Sequence, residues 1–207
     1  MTPLSRSEFE AAAFKSARGA GMDWGLAEEA AFAALWLADH GIDGLTLLAR
    51  HLGQFAGSAV QITGRVWRSP SRLCPIAAGA GLGDHFHLPQ GPLHGPVTLS
   101  DLSAPALILP FLAASAARTG AVVLVQWPGV SVVVSGAAAF PMTGAAALLA
   151  DHADAVTVTA ATAQGTSPCL TTPPATWQSL QAHVQRSYVP ASDQSRREAG
   201  AAGSDNA

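Results

Sequence analysis

Three stretches of this sequence hold the residue types that do chemistry. The first is RGAGMDWGLAEEA, Arg18 to Ala30, where a Gly-rich corner runs into a tryptophan and two adjacent glutamates. Arg18 can grip an anion through its guanidinium fork, Trp24 can supply an apolar wall, and Glu29 can act as a base or hydrogen-bond acceptor. On a helical wheel Leu26, Ala30, Ala33 and Leu37 form one face, while Phe32 and Trp36 lie round the other side. Glu29 then projects between apolar neighbours, where a carboxylate is costly unless paired. Two accounts follow. Glu29 pairs with Arg18 or Arg50, or it lines a cleft with Arg18 and Trp24 where the first helix turns into the second.

The second stretch is GDHFHLPQGPLHG, with Asp84, His85, His87 and His94. On an extended backbone His85 and His87 share a face, and Asp84 or His94 can complete a metal site. Prolines and glycines crowd the segment, so an irregular surface loop is the competing reading. The third, Asp151, His152 and Asp154 in ADHADA, sits at an expected helix end, where such residues cap and complement the dipole. Cys74 and Cys169 each adjoin a proline and form neither a disulfide framework nor a zinc-knuckle spacing, so buried free thiols are expected. A Cys nucleophile needs a neighbouring histidine, and nothing local to either cysteine supplies an activated thiolate.

The elements that must position these residues are legible in part. Ser7 and Glu10 read as a capping box opening a helix that runs to about Arg18 and stops at Gly19 or Gly21. Asp23 caps a second helix running through Asp39 to Gly41, and a third spans about Asp43 to Leu52. Strands are expected at 60–68, 96–99 and 155–161, and a hairpin at AVVLVQW-PG-VSVVV whose apolar runs suggest burial on both faces. Ser103 and Pro105 open a helix reaching about Arg118, bent at Pro110. Short helices are expected at 143–150 and around Trp177, Leu180 and Val184. GAGLGD at 79–84 reads as a flexible turn, since it lacks the strand-to-helix setting of a dinucleotide fingerprint. No P-loop, nucleophile elbow, zincin motif or internal repeat is present, and the cofactor is unassigned.

Of the 207 residues, 49% are hydrophobic and 12% charged, about half the usual charged share. Such low charge suggests buried surface beyond one core, as in a homo-oligomer or a partner subunit. A net charge of −3 gives no electrostatic case for nucleic acid or an anionic membrane. The opening MTPLSRSEFE lacks an apolar core segment, and the longest apolar run, residues 102–117, is short and holds two prolines. A cytoplasmic location without a membrane span is the expectation.

Residues 7–45, SEFEAAAFKSARGAGMDWGLAEEAAFAALWLADHGIDGL, resemble the N-terminal signature of a bacterial family of uncharacterised proteins, R-G-A-G-x-x-W-G-x-A-E-E. Residues 187–206, SYVPASDQSRREAGAAGSDN, resemble that family's closing segment. The resemblance implies an ordered tail, with Tyr188, Ser192, Ser195 and Arg196 returning to a cleft beside Trp24. It implies no activity. AALWLADHGIDGL, residues 33–45, is similar to an early helical segment of the type-2 malate and lactate dehydrogenases. Gly44 and Leu45 stand where that family carries a Ser-His pair, so no dehydrogenase is inferred.

The expectation is an α+β fold: three short N-terminal helices packed on a mixed or antiparallel sheet with further helices. One domain covers 1–187, helical over 1–57 and strand-rich with helices over 58–187, followed by a polar tail at 188–207. The expected function is binding of a small polar or anionic metabolite, with Arg18, Trp24, Glu29, Tyr188, Ser195 and Arg196 as ligand residues. The alternatives are a metal-assisted enzyme using Asp84, His85, His87 and His94, and a non-catalytic partner subunit.

Overall fold

The computed structural model of the chain describes residues 4–136 and 138–161, with Gln178 and Gln181 as single positions beyond them. The helix expected around Trp177, Cys169 and the whole 188–207 tail lie outside the described residues. Every element below belongs to the unit Met1–Ala163.

Three helices open the chain: α1 (Arg6–Gly19), α2 (Trp24–Asp39) and α3 (Gly44–Leu52). Ser5 and Glu8, rather than Ser7 and Glu10, make the capping box of α1. Both pairs fit S-x-x-E, and the earlier one lengthens the helix and places Arg6 where it pairs with Asp39 of α2 at 2.7 Å. Gly21 (φ 96°) and Gly41 (φ 75°) take the left-handed backbone that ends α1 and α2. Asp23 caps α2 by accepting from the Leu26 N–H, and Asp43 caps α3 by accepting from Thr46.

The expected strand at 60–68 is a tight hairpin, β1 (Gln61–Thr63) and β2 (Val66–Arg68), because Gly64 at φ 60° reverses the chain. GAGLGD is no turn: it is the body of helix α4 (Pro75–Asp84). Its glycines serve close approach. A Cβ on Gly79 would collide with the Phe111 ring, and one on Gly81 would lie 3.0 Å from Trp67. After β3 (Val97–Ser103), a 3₁₀ turn at Pro105–Ile108 leads into α5 (Leu109–Thr119). Pro110 falls in the first turn of α5, where no intrahelical N–H is needed, so it does not bend the helix.

The expected hairpin is present as β4 (Val122–Trp127) and β5 (Val130–Ser135). It continues into β6 (Ala138–Thr143), a strand the Ala-rich sequence did not signal. A 3₁₀ turn at Ala145–Leu149 stands where a short α-helix was expected, and β7 (His152–Ala161) closes the described chain. Among the described residues the sheet has seven strands in the order β1-β2-β3-β7-β4-β5-β6. Only the β2–β3 pairing is parallel, so this is an α+β fold with a mixed sheet.

β4 and β5 are not buried on both faces. Burial alternates, with Val123, Val125, Val132 and Val134 in the core and Val122, Leu124 and Val133 half-buried on the opposite side. α5 packs on β4 and β5, α4 packs on β3, and α2 packs against all four other helices. Position along α2 therefore decides what each of its polar side chains meets. Among the described residues no helix is long and apolar enough to cross a membrane.

Candidate functional site

Glu28 and Glu29 are neighbours in sequence and diverge in space, as helical spacing requires. Glu29, half-buried, lines a cleft of about 560 Å³ between α2, α4 and α5. Phe32 and Phe111 form one wall, edge to face with ring centres 5.7 Å apart. Asp84, at the end of α4, and Arg118, in the last turn of α5, line the same cleft. The Arg118 guanidinium donates to the hydroxyl of Ser115, which is fully buried, at 3.0 Å. Burial pushes the Glu29 carboxyl above the ordinary glutamate range, and the charges of Asp84 and Glu28 push it the same way.

Neither pairing expected for Glu29 forms. Arg18 donates to the Met22 carbonyl, and Arg50 pairs with Asp151 at 3.0 Å. The other ion pairs among the described residues, Arg6–Asp39 and Arg72–Asp101, and the His152–Asp154 contact also leave Glu29 out.

Arg18 and Trp24 stay together but on another side of α2. The guanidinium carbon of Arg18 lies 5.8 Å from the Trp24 ring centre, and the Phe14 ring meets Trp24 edge-on at 5.1 Å. The Trp24 indole N–H donates to Glu28 at 2.8 Å, which turns Glu28 toward this side. A shallower groove of about 380 Å³ runs here between α1 and α2, lined by Phe14, Trp24, Glu10 and Glu28. Among the described residues, Glu29 lines the larger of these two recesses and Trp24 the smaller. Tyr188, Ser195 and Arg196 lie outside the described residues.

The histidine segment is organised by a residue that the sequence reading passed over. Arg65, in the β1–β2 turn, donates to the carbonyls of Pro89, Gly91, His94 and Gly95 at 2.6 to 3.0 Å. The loop's oxygens converge on a guanidinium. His85 donates through Nδ1 to the Gly81 carbonyl at 2.9 Å, and His94 through Nε2 to the His87 carbonyl at 3.2 Å. Among the described residues no three His, Cys, Asp or Glu side chains are grouped as a metal ion requires, those of Asp84, His85, His87 and His94 included. Asp151, expected at a helix end, lies between the 3₁₀ turn that ends at Leu149 and the start of β7, and holds Arg50 of α3.

A second unforeseen arrangement is buried. His51 of α3 meets Ser103 Oγ through Nδ1 at 3.0 Å and Cys74 Sγ through Nε2 at 3.4 Å. All three residues are almost wholly buried. Burial lowers the His51 pKa to about 4 and raises that of the Cys74 thiol, so both are neutral near pH 7. One ring nitrogen donates and the other accepts, tying α3 to β3 and to the start of α4. A thiol kept protonated is no nucleophile, so this chain reads as structural.

The model of a family of proteins of unknown function, DUF3726, matches residues 4–72, which span α1 to α3 and the β1–β2 hairpin. No curated protein matches. Among solved structures, malate dehydrogenase from Pyrococcus horikoshii is similar at 10% identity and a TM-score of 0.50, over 70% of this chain and 50% of that one. Malate dehydrogenase from Entamoeba histolytica is similar at 12% identity and a TM-score of 0.46, over 69% of this chain and 48% of that one. The chain thus spans about half the length of these enzymes, and the first likeness is one of fold alone.

Proposed function

We propose that this domain binds a small polar metabolite in the cleft between α2, α4 and α5, and that Glu29 is its central residue. The observation that carries this reading is a half-buried carboxylate, with no ion-pair partner among the described residues, lining a cleft large enough for a metabolite. Phe32 and Phe111 offer an apolar wall, and Arg118 offers a fork for an anionic group. The match to a family of unknown function brings no activity with it. We take the segment Arg18–Glu29 as a bacterial family's mark, with Glu29 its last residue.

The malate dehydrogenase likeness supports the fold and not the reaction. Gly44, one of the two residues standing where the dehydrogenases carry their Ser-His pair, is fixed here by packing: a Cβ there would meet the Ala34 carbonyl oxygen. The test is thermal unfolding of the protein against a metabolite panel, with and without EDTA. A ligand at about a hundred times its dissociation constant adds roughly 2.7 kcal/mol of stability. The expected hit survives EDTA and is lost in Glu29→Gln. A stabilisation that needs a divalent metal and vanishes in His85→Ala, or no stabilisation at all, contradicts the reading.

A further inference from the structure

The cleft between α2, α4 and α5 carries opposite charges on different elements, and this restricts what it accepts. Of its carboxylates, Glu28 also accepts from the Trp24 indole N–H at 2.8 Å, whereas Glu29 and Asp84 make no such bond among the described residues. Asp84 is the last residue of α4, where the helix dipole adds partial negative charge, and the last turn of α4 holds no basic residue to offset it. This side of the cleft calls for a cation. The α5 side carries Arg118, its guanidinium anchored at one nitrogen on the buried Ser115 hydroxyl at 3.0 Å. A guanidinium has donors to spare beyond that bond. The Phe32 and Phe111 rings line the same cleft.

A bare metal ion does not answer this arrangement. Among the described residues the carboxylates are not grouped for one ion, and a cleft of about 560 Å³ is the size of a small organic molecule. A dicarboxylate would satisfy Arg118 and set its second charge against Glu29 and Asp84. We propose that the cleft takes a zwitterionic small molecule with an apolar body, its ammonium group against Glu29 and Asp84 and its anionic group against Arg118. This rests on the cleft being the ligand site, as proposed above.

The experiment compares three probes that share a phenyl ring and differ in which charged groups they carry: L-phenylalanine, phenethylamine and 3-phenylpropionate. Their affinities are measured by calorimetry on the full chain and on Glu29→Gln and Arg118→Gln, each variant first shown to melt cooperatively. L-phenylalanine binds tightest, phenethylamine about tenfold more weakly, and 3-phenylpropionate weakest, each charged hydrogen bond accounting for about a tenfold step. Arg118→Gln brings L-phenylalanine down to the level of phenethylamine, and Glu29→Gln weakens both amines. The ranking in the unaltered protein tests the proposal even if a variant fails to fold. If 3-phenylpropionate binds as tightly as L-phenylalanine and Arg118→Gln weakens it, the zwitterion proposal falls while the cleft stands. If no probe binds, or none responds to either variant, both fall.

Discussion

His51 shows how burial sets the chemistry of a single side chain. In the folded protein it stays neutral down to about pH 4, against 6.5 for an ordinary histidine. Between those values the unfolded chain binds a proton that the folded one refuses. The histidine therefore costs nothing near neutral pH, and stability is lost as pH falls from 6.5 toward 4. The full loss from this one group is about 3 kcal/mol. Urea unfolding across that range checks it, together with an NMR titration of the imidazole; a ring that titrates near 6.5 contradicts it. Cys74 makes a companion prediction. In a Cys169→Ala background the Cys74 thiol should react with a disulfide reagent only at the rate of unfolding, because burial raises its pKa and closes it off. Immediate labelling of the folded protein would refute that. Neither residue announced this role in sequence, since Cys74, His51 and Ser103 come from separate elements that only the tertiary fold brings together.

Elements were legible where a local rule decides them. Asp23, Gly21, Gly41 and Asp43 marked the ends of the N-terminal helices because caps and left-handed glycines act through their immediate neighbours. α4 was misread because its glycines answer to Phe111 and Trp67, which lie far along the chain in either direction. The same packing logic makes Gly44→Ala damaging: the added methyl meets the Ala34 carbonyl, which cannot rotate away as a side chain can. A loss of about 3 kcal/mol is expected, roughly 6–12 °C in melting temperature. Calorimetry checks it, and an unchanged melting temperature would mean that α2 and α3 are not in this contact. For the 89–95 loop, Arg65→Lys should cost nearly as much as Arg65→Ala, about 2–4 kcal/mol, because an ammonium cannot reproduce a fork serving four carbonyls. Full rescue by lysine would show that charge alone holds the loop.

At the scale of the whole molecule, the sequence supplied the fold class but not the sheet order. β7, last among the described strands, lies between β3 and β4, and that insertion leaves no local trace. The candidate site was legible to the same degree. Glu29 stood out as a carboxylate on an apolar helix, which is a local property of α2. Its companions Asp84, Ser115 and Arg118 belong to α4 and α5, and no spacing along the chain connects them to it. What α2 does is divide its surface: Trp24 faces the α1 groove, Glu29 and Phe32 face the cleft, and Glu28 stands on the edge between them and lines both. The most direct measurement is a backbone-amide NMR titration of the full chain with the strongest stabiliser from the metabolite panel. Binding in the cleft concentrates the shift changes at Glu29, Gly83, Asp84, Ser115 and Arg118, and Glu29→Gln abolishes them. Changes centred instead on Phe14 and Trp24, or spread without regard to α2, α4 and α5, would contradict it.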